Sequence, residues 1–97
     1  MTIPKLNTTN FEKLNRKILE NFNNMRAMQD ELQSTVDSLE KSDMDYRKGR
    51  LPRNSFRRNF TRYSKEKRRL EKDINRNVRD SLLLISQAKK ITREQRF

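Results

Sequence analysis

Arg47-Lys48-Gly49-Arg50-Leu51-Pro52-Arg53-Asn54-Ser55 is the stretch whose reading decides the fold. Gly49 is the only glycine in 97 residues. It stands where a helix ends in the left-handed C′ conformation, which a residue with a Cβ adopts at a cost. Pro52 suits the first turn of a new helix, because its missing N–H would be unpaired there in any case. Leu51, just ahead of it, is placed to fold back onto that turn as a hydrophobic staple. A glycine and a proline three residues apart therefore predict a helix–turn–helix junction over 47–53.

Working outward, a seven-residue period runs on both sides of this junction. Before it, Phe11, Ile18, Met25, Leu32, Leu39 and Tyr46 recur at one heptad position. The neighbouring seam is mixed: Leu14 and Met28 are apolar, whereas Asn21, Thr35 and Ser42 are not. This pattern predicts an amphipathic helix over 8–46, capped by Thr8, Thr9 or Asn10, with Glu12 completing a capping box from Thr9. After the junction, Phe56, Tyr63, Leu70, Asn77, Leu84 and Ile91 repeat the period, with Phe60, Lys67, Ile74, Ser81 and Ala88 as the second seam. That predicts a second helix over 54–93.

The two rows match when the chain doubles back. Facing positions of an antiparallel hairpin have residue numbers with a constant sum. Tyr46 with Phe56, Leu39 with Tyr63, Leu32 with Leu70, Met25 with Asn77, Ile18 with Leu84 and Phe11 with Ile91 all give 102. Asn77, the one polar member, either fixes the register, points aside while Val78 fills the space, or is a partly hydrated seam position. The fold class is all-α: residues 1–97 form a single antiparallel coiled-coil hairpin, expected to belong to a larger helical bundle or oligomer.

Composition agrees and narrows the function. Charged residues make up 38% of the chain and hydrophobic ones 31%, which suits long helices burying a narrow stripe rather than a thick core. The absence of Cys and His removes disulfides, the usual zinc ligand sets and His-dependent catalysis. The acidic side chains of the first helix read as a solvated face that also meets the basic second helix. No phosphate-binding loop, nucleophile elbow or metal motif accompanies them. Neither catalytic residues nor a cofactor nor a metal is expected. The N-terminal stretch lacks the apolar run of a signal peptide. The longest apolar run, Leu82-Leu83-Leu84-Ile85, is far short of the ~20 residues that span a bilayer. The expected location is cytoplasmic, or peripheral at a membrane surface.

Two features are left over for function. Leu19, Phe22, Met28, Val36, Leu82, Leu83 and Ile85 exceed what one hairpin can cover, and Phe22, Val36, Leu82, Leu83 and Ile85 are the candidates for packing against a partner. That partner is another helical subunit or a second copy of the chain. Charge is the other feature: the net charge is +11, and residues 47–97 carry 18 basic and 5 acidic side chains against 6 and 8 in residues 1–46. Arg57, Arg58, Arg62, Arg68, Arg69 and Arg76 are the candidates for anionic contacts, with a membrane surface, an acidic protein or a nucleic acid as the opposing class. A non-enzymatic scaffold or adaptor is the first functional expectation, and a basic nucleic-acid-binding helical protein is the alternative.

The stretch Asp45-Tyr46-Arg47-Lys48-Gly49-Arg50-Leu51-Pro52-Arg53-Asn54-Ser55-Phe56, followed by Tyr63, Lys65-Glu66-Lys67-Arg68-Arg69 and Leu70, resembles the hairpin of the Mod(r)-domain subunit of ESCRT-I. The resemblance covers about residues 30–75. It implies a helical hairpin that bundles with other hairpin subunits and acts as an adaptor in membrane remodelling and protein transport. A weaker resemblance is to the basic N-terminal hairpin of ESCRT-III filament proteins, which implies association with acidic membranes.

Overall fold

A computed structural model of the chain describes residues 3–94, with side chains from Asn10 onward. It contains two helices, α1 (Ile3–Arg47) and α2 (Arg53–Glu94), joined by residues 48–52. The all-α hairpin expected from the two heptad rows is what forms. The boundaries shift at one end more than the others. Thr8, Thr9 and Asn10, expected to cap α1, lie inside it, so the Thr9–Glu12 capping box does not mark its start. The reason is Pro4, which falls in the first turn, where a fixed φ is preorganised for helix and a missing N–H leaves no bond unmade.

The turn is a Schellman motif. Gly49 has φ of 71°, its N–H donates to the Tyr46 carbonyl at 3.0 Å, and the Arg50 N–H reaches back to the Asp45 carbonyl at 2.8 Å. These two bonds satisfy carbonyls that the end of α1 would otherwise leave open. Pro52 precedes the first helical residue rather than occupying it: its carbonyl accepts the first bond of α2, from the Phe56 N–H at 2.9 Å. Leu51 is half-buried at the position before this cap, and Phe56 is the fourth residue after it, the spacing of a staple.

The helices form two compact units. The turn unit comprises residues 27–74, and the end unit comprises 3–26 with 75–94. In the turn unit the Tyr46 and Phe56 rings stack, centroids 4.5 Å apart and planes 17° apart, which fixes the pairing first deduced from their numbers. Leu70 is the one fully buried hydrophobic residue among those described, at 1% exposure. Thr35 and Ser42 are buried with it. The Thr35 hydroxyl donates to the Glu31 carbonyl at 2.9 Å, and the Asn59 amide donates to the Ser42 hydroxyl at 3.2 Å. Small side chains let two helices approach closely, and each hydroxyl has a partner, so no desolvation penalty is left standing.

In the end unit Ser81 takes the buried place, its hydroxyl donating to the Asn77 side-chain carbonyl at 3.3 Å. Asn77 stays half-buried at the seam, and Val78 beside it is 37% exposed. The second seam of α2 also differs from expectation. Ser81 and Ala88 are inside or half-buried, but Phe60 is 55% exposed and Lys67 is exposed, and Asn59 and Glu66 take their places beside α1. A strict seven-residue row drifts by about 20° per heptad on a helix of 3.6 residues per turn, so one row does not face the same neighbour throughout.

Candidate interaction surfaces

The first surface lies on the end unit. Ile18 and Ile85, half-buried, line a shallow groove between the helices with Phe11, Asn15, Ala88 and Lys89. One turn further along each helix stand Phe22 and Leu82, 47% and 60% exposed, with Leu19 at 60% and Val78 also exposed beside them. Steps of three and four residues keep these side chains on one side of the pair. Of the five residues expected to pack against a partner, Phe22, Leu82 and Ile85 thus come together. Leu83, next in the chain to Leu82, is turned about 100° away around the helix. Val36 is half-buried in the turn unit and belongs to a different neighbourhood. Met44 is an exposed apolar side chain that the sequence pattern did not single out, and Phe60, expected in the seam, is another exposed one.

The second surface is the charge on α2 in the turn unit. Its carboxylates are held at the margins next to α1. On one margin Glu66 and Asp73 both engage Arg69, which also reaches Glu31 of α1 at 3.9 Å. On the other, Glu71 pairs with Lys67 at 3.5 Å. The Arg69 guanidinium donates to Glu66 and holds its carboxyl below the usual carboxylate range; desolvation opposes this, and the charges of Arg69 and Arg62 add to it. The same bond raises Arg69 above its ordinary value. Arg69 was expected among the anionic contacts, but three carboxylates of its own chain already surround it.

The other five basic candidates are exposed. Arg62 lies over the Tyr63 ring, 5.4 Å from its centroid. Arg68 donates to the Ser64 carbonyl at 3.4 Å, and Arg58 approaches the Ser55 hydroxyl at 3.5 Å. Among the described residues none of these five, nor Lys65 or Lys72, has a carboxylate within 4.0 Å. The expected pairing of the acidic first helix with the basic second is confined, among the described residues, to the single contact of Glu31 with Arg69.

No group of acidic side chains among the described residues is arranged to hold a metal ion, and no described helix is long and apolar enough to cross a membrane. No family model, no curated protein and no solved structure matches the chain.

Proposed function

We propose that this chain is a non-enzymatic scaffold or adaptor subunit, and that it joins its assembly by packing the apolar side of the end unit against helices of another chain. The carrying observation is the cluster of Leu19, Phe22, Val78 and Leu82, exposed side by side next to a groove floored by Ile18 and Ile85. Each such side chain taken fully out of water contributes on the order of 1.5–3 kcal/mol, and a two-helix unit has no third layer to supply that burial. A helix laid along the groove would supply it.

The resemblance of residues 45–70 to an ESCRT-I hairpin subunit adds a setting to this reading: a cytoplasmic helical assembly in membrane remodelling and protein transport. The partner is then a second hairpin, whether another subunit or another copy. Sedimentation equilibrium of the purified chain at micromolar concentration, together with isolation of the native assembly, is the test. The expectation is self-association, or a stable complex with a helical subunit, that Phe22→Asp with Leu82→Asp abolishes while helicity is retained. A wild-type chain that is a well-folded monomer and whose native complexes survive both substitutions would refute the proposal.

A further inference from the structure

We infer that the outer side of α2 in the turn unit is a docking surface for duplex DNA, which receives the helix in its major groove. The surface consists of Arg57, Lys65, Arg68 and Lys72, with Arg58 and Arg62 on one shoulder, all exposed and, among the described residues, none within 4.0 Å of a carboxylate. It belongs to the turn unit alone and does not depend on the apolar cluster of the end unit.

The first argument is segregation. Glu66, Glu71 and Asp73 are the only carboxylates of α2 within this unit, and all three are occupied at the margins by Arg69 or Lys67. A basic helix selected only for solubility would spread its carboxylates among its cations. Here they are withdrawn from one side, leaving uncompensated positive charge over Arg57 to Lys72, about 22 Å at 1.5 Å per residue.

The second argument is the shape of the charge. At about 100° per residue, measured from the direction of Leu70 toward α1, the six cations cover an arc of about 140° that takes in the back of the helix and is centred about 30° to the side of Arg58 and Arg62. A flat anionic surface would meet only the middle of that arc. A concave wall with phosphates on both sides meets all of it. The B-form major groove, ~12 Å wide, admits one α-helix, and α1 would lie on the outward side.

The third argument is what the surface lacks. Thr61 is the residue between Arg57 and Lys65 on this side; the exposed Phe60 stands beyond Arg57 at the edge, and no apolar or aromatic side chain interrupts the cations themselves. A helix that enters a bilayer interface needs an apolar face, and a single-strand binder needs rings on which bases stack. The double-stranded RNA major groove is too deep and narrow for a helix. Among membranes and nucleic acids, duplex DNA is the polyanion that remains, and the helix-wide arc of charge favours its groove over an acidic protein surface.

Fluorescence anisotropy with a random-sequence duplex, titrated with salt, tests this on the full chain. Six neutralised phosphates give a log–log slope of about −5, so affinity falls about a thousandfold between 50 and 200 mM salt. Arg57→Gln, Lys65→Gln, Arg68→Gln and Lys72→Gln together should reduce the slope to about −2. Lys13→Gln, Arg16→Gln, Lys17→Gln and Lys90→Gln, removing the same charge from the end unit, should leave it unchanged. Circular dichroism checks that both variants stay helical; should the first not, the wild-type comparison of duplex DNA with double-stranded RNA, single-stranded DNA, phosphatidylserine vesicles and polyglutamate carries the test alone. Equal loss in both variants, a wild-type slope shallower than about −3, or binding to any of those four probes as tight as to duplex DNA overturns the inference.

Discussion

Replacing Gly49 with alanine isolates the backbone term on which the hairpin depends. A Cβ built at Gly49 meets nothing within 4 Å, so the substitution introduces no clash with the rest of the molecule. Its cost comes from φ of 71°, the left-handed region, where an L-residue loses about 1–2 kcal/mol. Alanine also narrows the unfolded ensemble, which returns about 0.4–1 kcal/mol. The net loss is about 1 kcal/mol. Urea unfolding followed by helical circular dichroism, at one fixed protein concentration, reads this directly. With a slope of ~1 kcal/mol/M, the midpoint should fall by about 1 M. Asparagine, which tolerates the left-handed region through its short polar side chain, should lie between glycine and alanine, and valine below alanine. An alanine variant as stable as the wild type would mean that the chain does not close through a left-handed residue at 49. The Schellman bonds to Tyr46 and Asp45 would then have to be abandoned with it.

Three further outcomes follow from the same geometry. Leu70→Ala should cost about 2–3 kcal/mol, the low end of the core range because an open-sided seam can partly collapse, whereas the exposed Leu83→Ala should cost less than about 0.5; urea midpoints for the pair compare them, and equal losses would remove Leu70 from its central place. Glu66 has a folded-state pKa depressed by Arg69, so its contribution is present above the ordinary carboxylate value and is lost as pH falls through the lowered one. Melting temperatures on acidification should therefore decline less steeply in Glu66→Gln than in the wild type, and an identical decline would show that the contact is not formed in solution. Spin labels at residues 18 and 84 should report an intramolecular separation of about two nanometres, from helix axes 8–10 Å apart plus the label arms; a much longer distance would end the antiparallel register.

The sequence was most informative where chemistry leaves few options. A lone glycine followed by a proline admits few backbone paths, and the match of Tyr46 to Phe56 followed from arithmetic before their stacked rings were seen. It was least informative where polarity and position part company. Thr35, Ser42 and Ser81 share the secondary seams by period although their polarity suits a surface, and they are more buried than Phe60, because a hydroxyl that pairs with a backbone carbonyl or a neighbouring amide can be enclosed without loss. The start of α1 was missed for a related reason: Thr8, Thr9 and Asn10 have the chemistry of a cap, but Pro4 had already set the backbone. Among the candidate surface residues, Phe22, Leu82 and Ile85 were found together, while the neutralisation of Arg69 depends on three carboxylates meeting in space, which residue spacing on one helix shows only for Glu66 and Asp73.

The hydroxyl-rich seam has a thermal consequence. Heat capacity rises on unfolding chiefly because oily groups become hydrated, and hydration of polar groups subtracts from it. With Leu70 the one fully enclosed hydrophobic residue among those described, the other apolar seam residues only half-buried, and Thr35, Ser42 and Ser81 buried, calorimetry should record an increment below the ~12–15 cal/mol/K per residue typical of globular chains. Its free-energy curve against temperature would then be a broad, low arch, so that cooling weakens the hairpin little and warming loosens it gradually.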